Sequence, residues 1–356
     1  MYQVYDKDNN LLMYLQNVTS IQWKSKYCDT GSFEIHARPT EDNRAYLKKW
    51  NHIVCYDDYK LEIGFIFYVE HSKDGKEMIV RGYMDALSCI VNLTTHTIKR
   101  RESFNDLLAD NNRFIYSFAL DSSSVHSTLA NGFDTTFKTL YDTFLSYCSE
   151  LGLGWKTYKN SDGTFSYRIY QGRRQESARF SDVYGNLLEQ TLIEDMSSFK
   201  NIAYVYGEEK ADGTRANVTV DLRNAGDPNL ELFVDARDLQ STYRDENNVE
   251  QSYTEAEYKA MLNQRGFEKL LEARKDGTKF TFKIQPENSI CKLGIDYVLG
   301  DIVPVISKRF GLSMWARITG IDYVEEAGKG TQISLTVDIL QTGVIANDTN
   351  SISDEQ

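Results

Sequence analysis

Only four prolines occur in 356 residues, too few for a long Pro-rich spacer. Histidine is nearly as scarce. His36, His52, His71, His96 and His126 never pair with one another or with a cysteine at metal-ligand spacing. The five cysteines, Cys28, Cys55, Cys89, Cys148 and Cys291, are odd in number and far apart. That pattern excludes a disulfide framework and predicts reduced thiols packed as small apolar side chains. No apolar run approaches the roughly 20 residues that cross a bilayer. The start, MYQVYDKDNN, lacks the basic residues and apolar stretch of a secretion signal. Synthesis in a cytoplasm is therefore expected, where the Asn-x-Thr matches at Asn17 and Asn92 carry no glycosylation meaning.

Positive charge is also in deficit, with 40 Lys and Arg against 52 Asp and Glu and a net charge of -12. Gripping phosphate requires cations that displace counterions, so stable nucleic-acid binding is not expected. The same balance disfavours adhesion to an anionic membrane. Lys99-Arg100-Arg101 is a short basic run that reads as an exposed or interface face. There is no Gly-x-Ser-x-Gly elbow and no phosphate loop. Gly152 and Gly154 follow a helix and do not make a dinucleotide fingerprint. Glu194-Asp195 and Glu325-Glu326 could be offered as the two acids of a glycosidase, but they read as solvated charge. No catalytic, cofactor-binding or metal-ligating residue is assigned, and no cofactor is expected.

What the chain does have is aromatic residues, 23 Tyr and 17 Phe, which suit half-buried pleated surfaces. Val18 to Lys24 and Ser32 to Ala37 alternate apolar and polar residues, as strands with one buried face do. Asp74-Gly75, Asp162-Gly163 and Asp212-Gly213 each separate two such runs, and Asp-Gly readily adopts the positive φ of a hairpin turn. Trp315–Val324 and Gln332–Leu340 predict a further hairpin around Gly328 and Gly330. Thr40 to Trp50 suggests one short helix, and Ser103 with Asp106 suggests another that is capped. Phe137, Leu140, Tyr141, Phe144, Leu145, Cys148 and Leu151 recur at helical spacing, with Gly152 as the stop. Thr254 and Glu257 form a capping box in front of Tyr258, Met261 and Leu262. Asp276-Gly277 reads as the end of that helix. No internal repeat is visible. The order is a β module, an α+β insert and a second β-rich module.

Several segments in this order resemble the hub family at the tip of siphophage tails, including the N-terminal region of tail-associated lysins. They are Gly31-Ser32-Phe33-Glu34-Ile35, preceded by Ile21 and Trp23, then Gly64-Phe65-Ile66-Phe67 with Val69-Glu70 and Val80-Arg81-Gly82. Asp85-Ala86-Leu87, Thr97-Ile98-Lys99-Arg100 and Leu232-Phe233-Val234-Asp235-Ala236-Arg237-Asp238 follow. The most specific is Tyr297-Val298-Leu299-Gly300-Asp301-Ile302-Val303. The resemblance covers about residues 20 to 340. It implies an α+β, mainly β chain with two tail-tube-like β-barrel modules and a helix-containing α+β insert. The expected division is 1–95 for the first barrel, 96–200 for the insert, 201–340 for the second β-rich module and 341–356 for a flexible tail.

The resemblance also implies a structural role at the virion tail tip, with no catalysis. A homotrimer would adapt a sixfold tube to a threefold tip and form the channel for tape measure and DNA, with the acidic balance repelling phosphate. The implied partners are a distal tail protein, the tape-measure protein and receptor-binding or tail-fibre proteins. DNA passes without stable binding, and no membrane insertion is implied. The alternative reading is a phage-borne carbohydrate-binding or cell-wall-degrading protein, the former with exposed rings such as Trp155 or Trp315 on one face.

Overall fold

Alternation decides which way the strands face. In the computed structural model, which describes residues 1–57, 60–194, 197–210, 212–244, 249–273, 278–284 and 290–344, the strand Ser32–Ala37 buries Phe33, Ile35 and Ala37. Ser32, Glu34 and His36 turn to the other face. This strand is β4. Before it come β1 (Tyr2–Tyr5), β2 (Leu11–Tyr14) and β3 (Val18–Lys26), and after it β5 (His52–Asp57), β6 (Lys60–His71) and β7 (Met78–Tyr83). The short helix α1 (Glu41–Tyr46) stands between β4 and β5, with the Thr40 side chain accepting the Asn43 N–H at 3.2 Å. Gly75 turns β6 into β7 at φ 68°.

The next stretch carries β8 (Thr97–Arg100), α2 (Ser103–Asp110), β9 (Phe118–Leu120), β10 (Thr128–Asp134), α3 (Leu140–Leu151), β11 (Gly154–Lys159), β12 (Phe165–Tyr170), β13 (Phe180–Ser181) and β14 (Leu188–Glu194). Thr139 caps α3 by accepting the Asp142 N–H at 3.0 Å, and Gly152 ends it at φ 64°. Two details differ from expectation. Phe137 precedes the cap and is 76% exposed, so the buried stripe begins at Leu140. Ser103 does not cap α2, because Glu102 before it already has helical angles.

Residues Ile193–Thr278 form a separate compact unit. It contains β15 (Ile202–Glu209), β16 (Arg215–Asp221), β17 (Glu231–Asp235), β18 (Thr242–Arg244), β19 (Glu250–Ser252) and α4 (Glu255–Ala273). The expected capping box is present. The Thr254 N–H donates to Glu257 Oε2 at 2.9 Å, and the Glu257 N–H donates to Thr254 Oγ1 at 3.3 Å. α4 lies against β15, β16 and β17. A β-carbon on Gly266 would come within 2.6 Å of Val205 and 2.7 Å of Val220, so the glycine permits this close approach. Asp276-Gly277 lies outside the described residues.

The chain then returns through β20 (Thr278–Ile284), β21 (Ile302–Ser307), β22 (Leu312–Glu326) and β23 (Gly330–Val344). Of the expected flexible end 341–356, residues 341–344 belong to β23, and the rest lies outside the described residues.

The chain is mainly β, as expected. The large sheet runs β14-β20-β23-β22-β3-β4-β7-β6-β5-β1-β2, with β13 and β21 attached beside β22, and no closed barrel forms among the described residues. The reason is the antiparallel ladder between β3 and β22, from Ser20 opposite Glu326 to Lys26 opposite Gly320. It joins the N-terminal and C-terminal halves edge to edge, so each satisfies a strand edge of the other. Trp23, Phe33, Ile35 and Val80 lie in the core of the first half. Phe280, Phe282, Val303 and Leu335 lie in that of the second. A third core joins Val54, Ile63 and Phe65 to Phe104, Phe144, Trp155 and Phe165. Each buried large side chain contributes roughly 1.5–3 kcal/mol. Among the described residues no helix is long and apolar enough to cross a membrane.

Candidate functional site

The residues singled out for chemistry do not converge. His36 bridges Glu34 at 2.8 Å and Glu77 at 2.9 Å. Burial pulls its pKa down, but the hydrogen bonds to the two carboxylates outweigh this and the net shift is upward. His96 meets Asp110, and His126 meets Glu102. His71 ends β6, while His52 is fully buried among aromatic rings. Cys55, Cys148 and Cys291 are buried as expected. Cys89, however, is exposed and Cys28 half-buried, because they fall where the chain turns at the edge of a core. Glu326 pairs with Lys329 at 2.7 Å and Glu325 is exposed. Asp195 and the Glu194 side chain lie outside the described residues. Among the described residues no three His, Cys, Asp or Glu are placed to hold a metal ion.

The large sheet instead presents one mainly polar face across both halves. Cross-strand register aligns Lys283, Ser334, Asp322, Lys24, Ser32 and Tyr83 in one row over β20, β23, β22, β3, β4 and β7. The neighbouring row is Val324, Gln22, Glu34, Arg81 and Tyr68. Charges of both signs alternate here. Lys24 pairs with Asp322 at 3.5 Å, Arg81 pairs with Glu34, and Gln22 donates to Asp322. The overall acidic surplus is not reproduced on this face. At its β6–β7 end is a groove of about 450 Å³ lined by Phe67, Tyr68, Arg81 and Tyr83. The ladder shift between Ile66 and Tyr68 adds a residue to β6, which lets both Phe67 and Tyr68 line it.

Two buried carboxylates explain motifs read from the sequence. Asp85 accepts the Thr30 hydroxyl at 2.9 Å, the Leu87 N–H at 3.1 Å and the Trp155 indole N–H at 3.1 Å. Burial pushes its pKa up. Trp155 is thereby buried, which removes it as an exposed sugar-stacking ring, while Trp315 is half-buried beneath the Arg174 guanidinium at 3.7 Å. Asp301 accepts the N–H groups of Arg173 at 2.7 Å and Val298 at 3.0 Å. Gly300, at φ 95°, leaves room for the Tyr27 ring.

Tyr27 is the meeting point that sequence reasoning missed. Its hydroxyl donates toward Gly152 O at 3.1 Å or Tyr170 O at 3.3 Å, and accepts from Gly172 N–H at 3.1 Å and Arg317 at 3.3 Å. Those partners are distant in sequence, and no local pattern marks the tyrosine that joins them.

These two carboxylates hold neighbouring backbone and side chains in place. Both lie in segments that carry the resemblance read from the sequence. The sequence model of the Siphovirus ReqiPepy6 Gp37-like proteins matches residues 1–89 and 104–337. The chain belongs to that family. No curated protein sequence matches it. Among solved structures, this Gp37-like chain resembles a 43 kDa tail protein of prophage MuSo2 from Shewanella oneidensis. The TM-score is 0.60 at 10% identity, over 95% of this chain and 98% of the other. It also resembles a tail protein from Neisseria meningitidis MC58, with a TM-score of 0.58 at 14% identity over 94% and 96%. The Gp37-like chain thus has a phage-tail protein fold.

Proposed function

We propose that this Gp37-like protein is the structural hub that closes the distal end of a phage tail tube. The carrying observation is the β3–β22 ladder, which puts two strand modules in one chain on one sheet with one polar face. In this reading the first module is residues 1–95 and the second is the β20–β23 part of 201–340, with the α+β insert at 96–200. Three copies bring six modules, a pseudo-sixfold ring that docks beneath a sixfold tube and adapts it to a threefold tip. Contacts between copies are heterologous and closed by rotation.

The polar rows from Lys283 to Tyr83 line the channel for tape measure and DNA. Their balanced ion pairs give DNA no surplus of cations to grip, so it passes without stable binding. The distal tail protein sits above, the tape-measure protein inside, and receptor-binding or fibre proteins around. The protein acts at the virion tail tip without catalysis and without entering a membrane. Host attachment opens the tip by rigid-body movement between copies, and genome ejection follows.

Light scattering on the protein, alone and with the distal tail protein, tests this. The expected mass is that of three 40.9 kDa chains. A strict monomer that ignores the distal tail protein, or a lytic band in a host cell-wall zymogram, overturns the proposal.

A further inference from the structure

The sheet of the 193–278 unit has one covered face and one bare face. Ala203, Val205 and Val234 are buried in a core with Tyr258, Leu262 and Leu270 of α4. The opposite face carries Ile202, buried at one end, and then Tyr204, Tyr206 and Phe233 together with Asn217, Thr219, Asp221, Glu231 and Asp235. Register sets Phe233 opposite Tyr204, and the Phe233 ring lies 5.8 Å from that of Tyr206, tilted by 37°. Phe233 is 61% exposed.

Three guanidiniums border these rings, and each is fixed by a carboxylate. Arg223 holds Asp221 with two bonds, Nε to Oδ1 at 2.9 Å and Nη2 to Oδ2 at 2.6 Å. Arg215 and Arg237 share Asp235, at 2.7 Å and 2.8 Å. Arg215 also stands 5.7 Å over the Tyr206 ring. Tyr204 donates its hydroxyl to Glu231 at 3.1 Å. Arg215, Arg223 and Arg237 are thus balanced by Asp221, Glu231 and Asp235.

We infer that this face is a binding platform for an uncharged glycan. Sugar rings present C–H faces that stack on exposed aromatic rings and hydroxyls that need both donors and acceptors. The paired guanidinium and carboxylate groups supply both, already held in fixed geometry, so little is lost in ordering them. A polyanion requires a surplus of cations, which the balance denies it. An apolar protein surface would cover the three carboxylates and their arginines without offering compensating hydrogen bonds.

Affinity electrophoresis of the full chain through gels containing soluble dextran, mannan or galactan tests the inference. Dextran sulfate serves as the charged comparison. At least one uncharged polymer is expected to retard the protein. Phe233→Ala and Tyr206→Ala should each weaken retardation by about tenfold at unchanged melting temperature. Phe233→Leu, which keeps the bulk without the aromatic face, should behave likewise if the alanine variant fails to fold. The inference is overturned if none of the three uncharged polymers retards the protein, or if the variants are retarded as strongly as the parent. Tighter binding to dextran sulfate overturns it too, as does a Phe233→Ala effect confined to self-association.

Discussion

Gly172 and Gly300 cross so closely that a β-carbon on Gly172 would lie 1.7 Å from the Gly300 carbonyl oxygen. Nothing at that distance is a flexible side-chain end, so accommodation requires the backbone to move. Gly172→Ala should therefore cost about 3 kcal/mol or more, at the upper end of overpacking penalties. Urea unfolding read by tryptophan fluorescence checks this, and a loss below about 1 kcal/mol would show that the crossing is loose.

Tyr27→Phe removes one hydroxyl and leaves the Gly172 N–H and the Arg317 guanidinium short of a partner. A buried donor left unsatisfied costs roughly 1–3 kcal/mol. Ring packing against Tyr170, at 5.3 Å, survives the change. The expected result is a lower melting temperature with an unaltered far-ultraviolet spectrum.

Asp85→Ala leaves the Trp155 indole N–H and the Thr30 hydroxyl without the carboxylate they donate to. A destabilisation of about 2–4 kcal/mol is expected from the lost bonds together with the small cavity. Asp85→Asn keeps an acceptor and most of the volume, so it should lose less. Equal losses in the two variants would rule out hydrogen bonding as the cause.

His52 offers a test by pH. Burial, and then the nearby Lys159 charge, push its pKa down to about 3. Unfolded histidine titrates near 6.5, so between these values the unfolded chain binds the extra proton. Its neutral burial therefore supports the fold above about pH 6.5, and that support fades as pH falls toward 3. Between pH 7 and 5 the parent should lose roughly 2 kcal/mol relative to His52→Phe, whose ring suits the surrounding Tyr5, Phe65, Tyr116 and Phe165. Parallel urea titrations of the two proteins at both pH values measure this, and identical slopes with pH would refute it.

The features legible in the sequence are those set by a few neighbouring residues. Gly75, Gly163 and Gly213 all adopt the positive φ that their Asp-Gly turns announced. Gly152 stops α3 and the Thr254–Glu257 box starts α4 where expected. The pairing of β3 with β22 was not legible, because Trp23 faces Tyr323 across three hundred positions of sequence. Any half-buried edge strand of matching alternation would have served as well. The parallel pairs β9–β12 and β15–β17 were hidden for the same reason. Trp155 could be read equally as a stacking ring or as core, since only the distant Asp85 decides. The aromatic face near Phe233 left a trace in the alternation of Tyr204 and Tyr206 along Ile202–Tyr206, but its arginine border comes from three separate segments.

The large sheet is left at β14 and rejoined at β20, and these two strands are hydrogen-bonded neighbours. Exit and re-entry therefore fall on adjacent strands, and adjacent strands in a sheet are spaced by about 4.8 Å. Such a doorway tolerates cargo of almost any length, because whatever is spliced in need only begin and finish at the same threshold. An engineer could mount a fluorescent or affinity module there for the same reason.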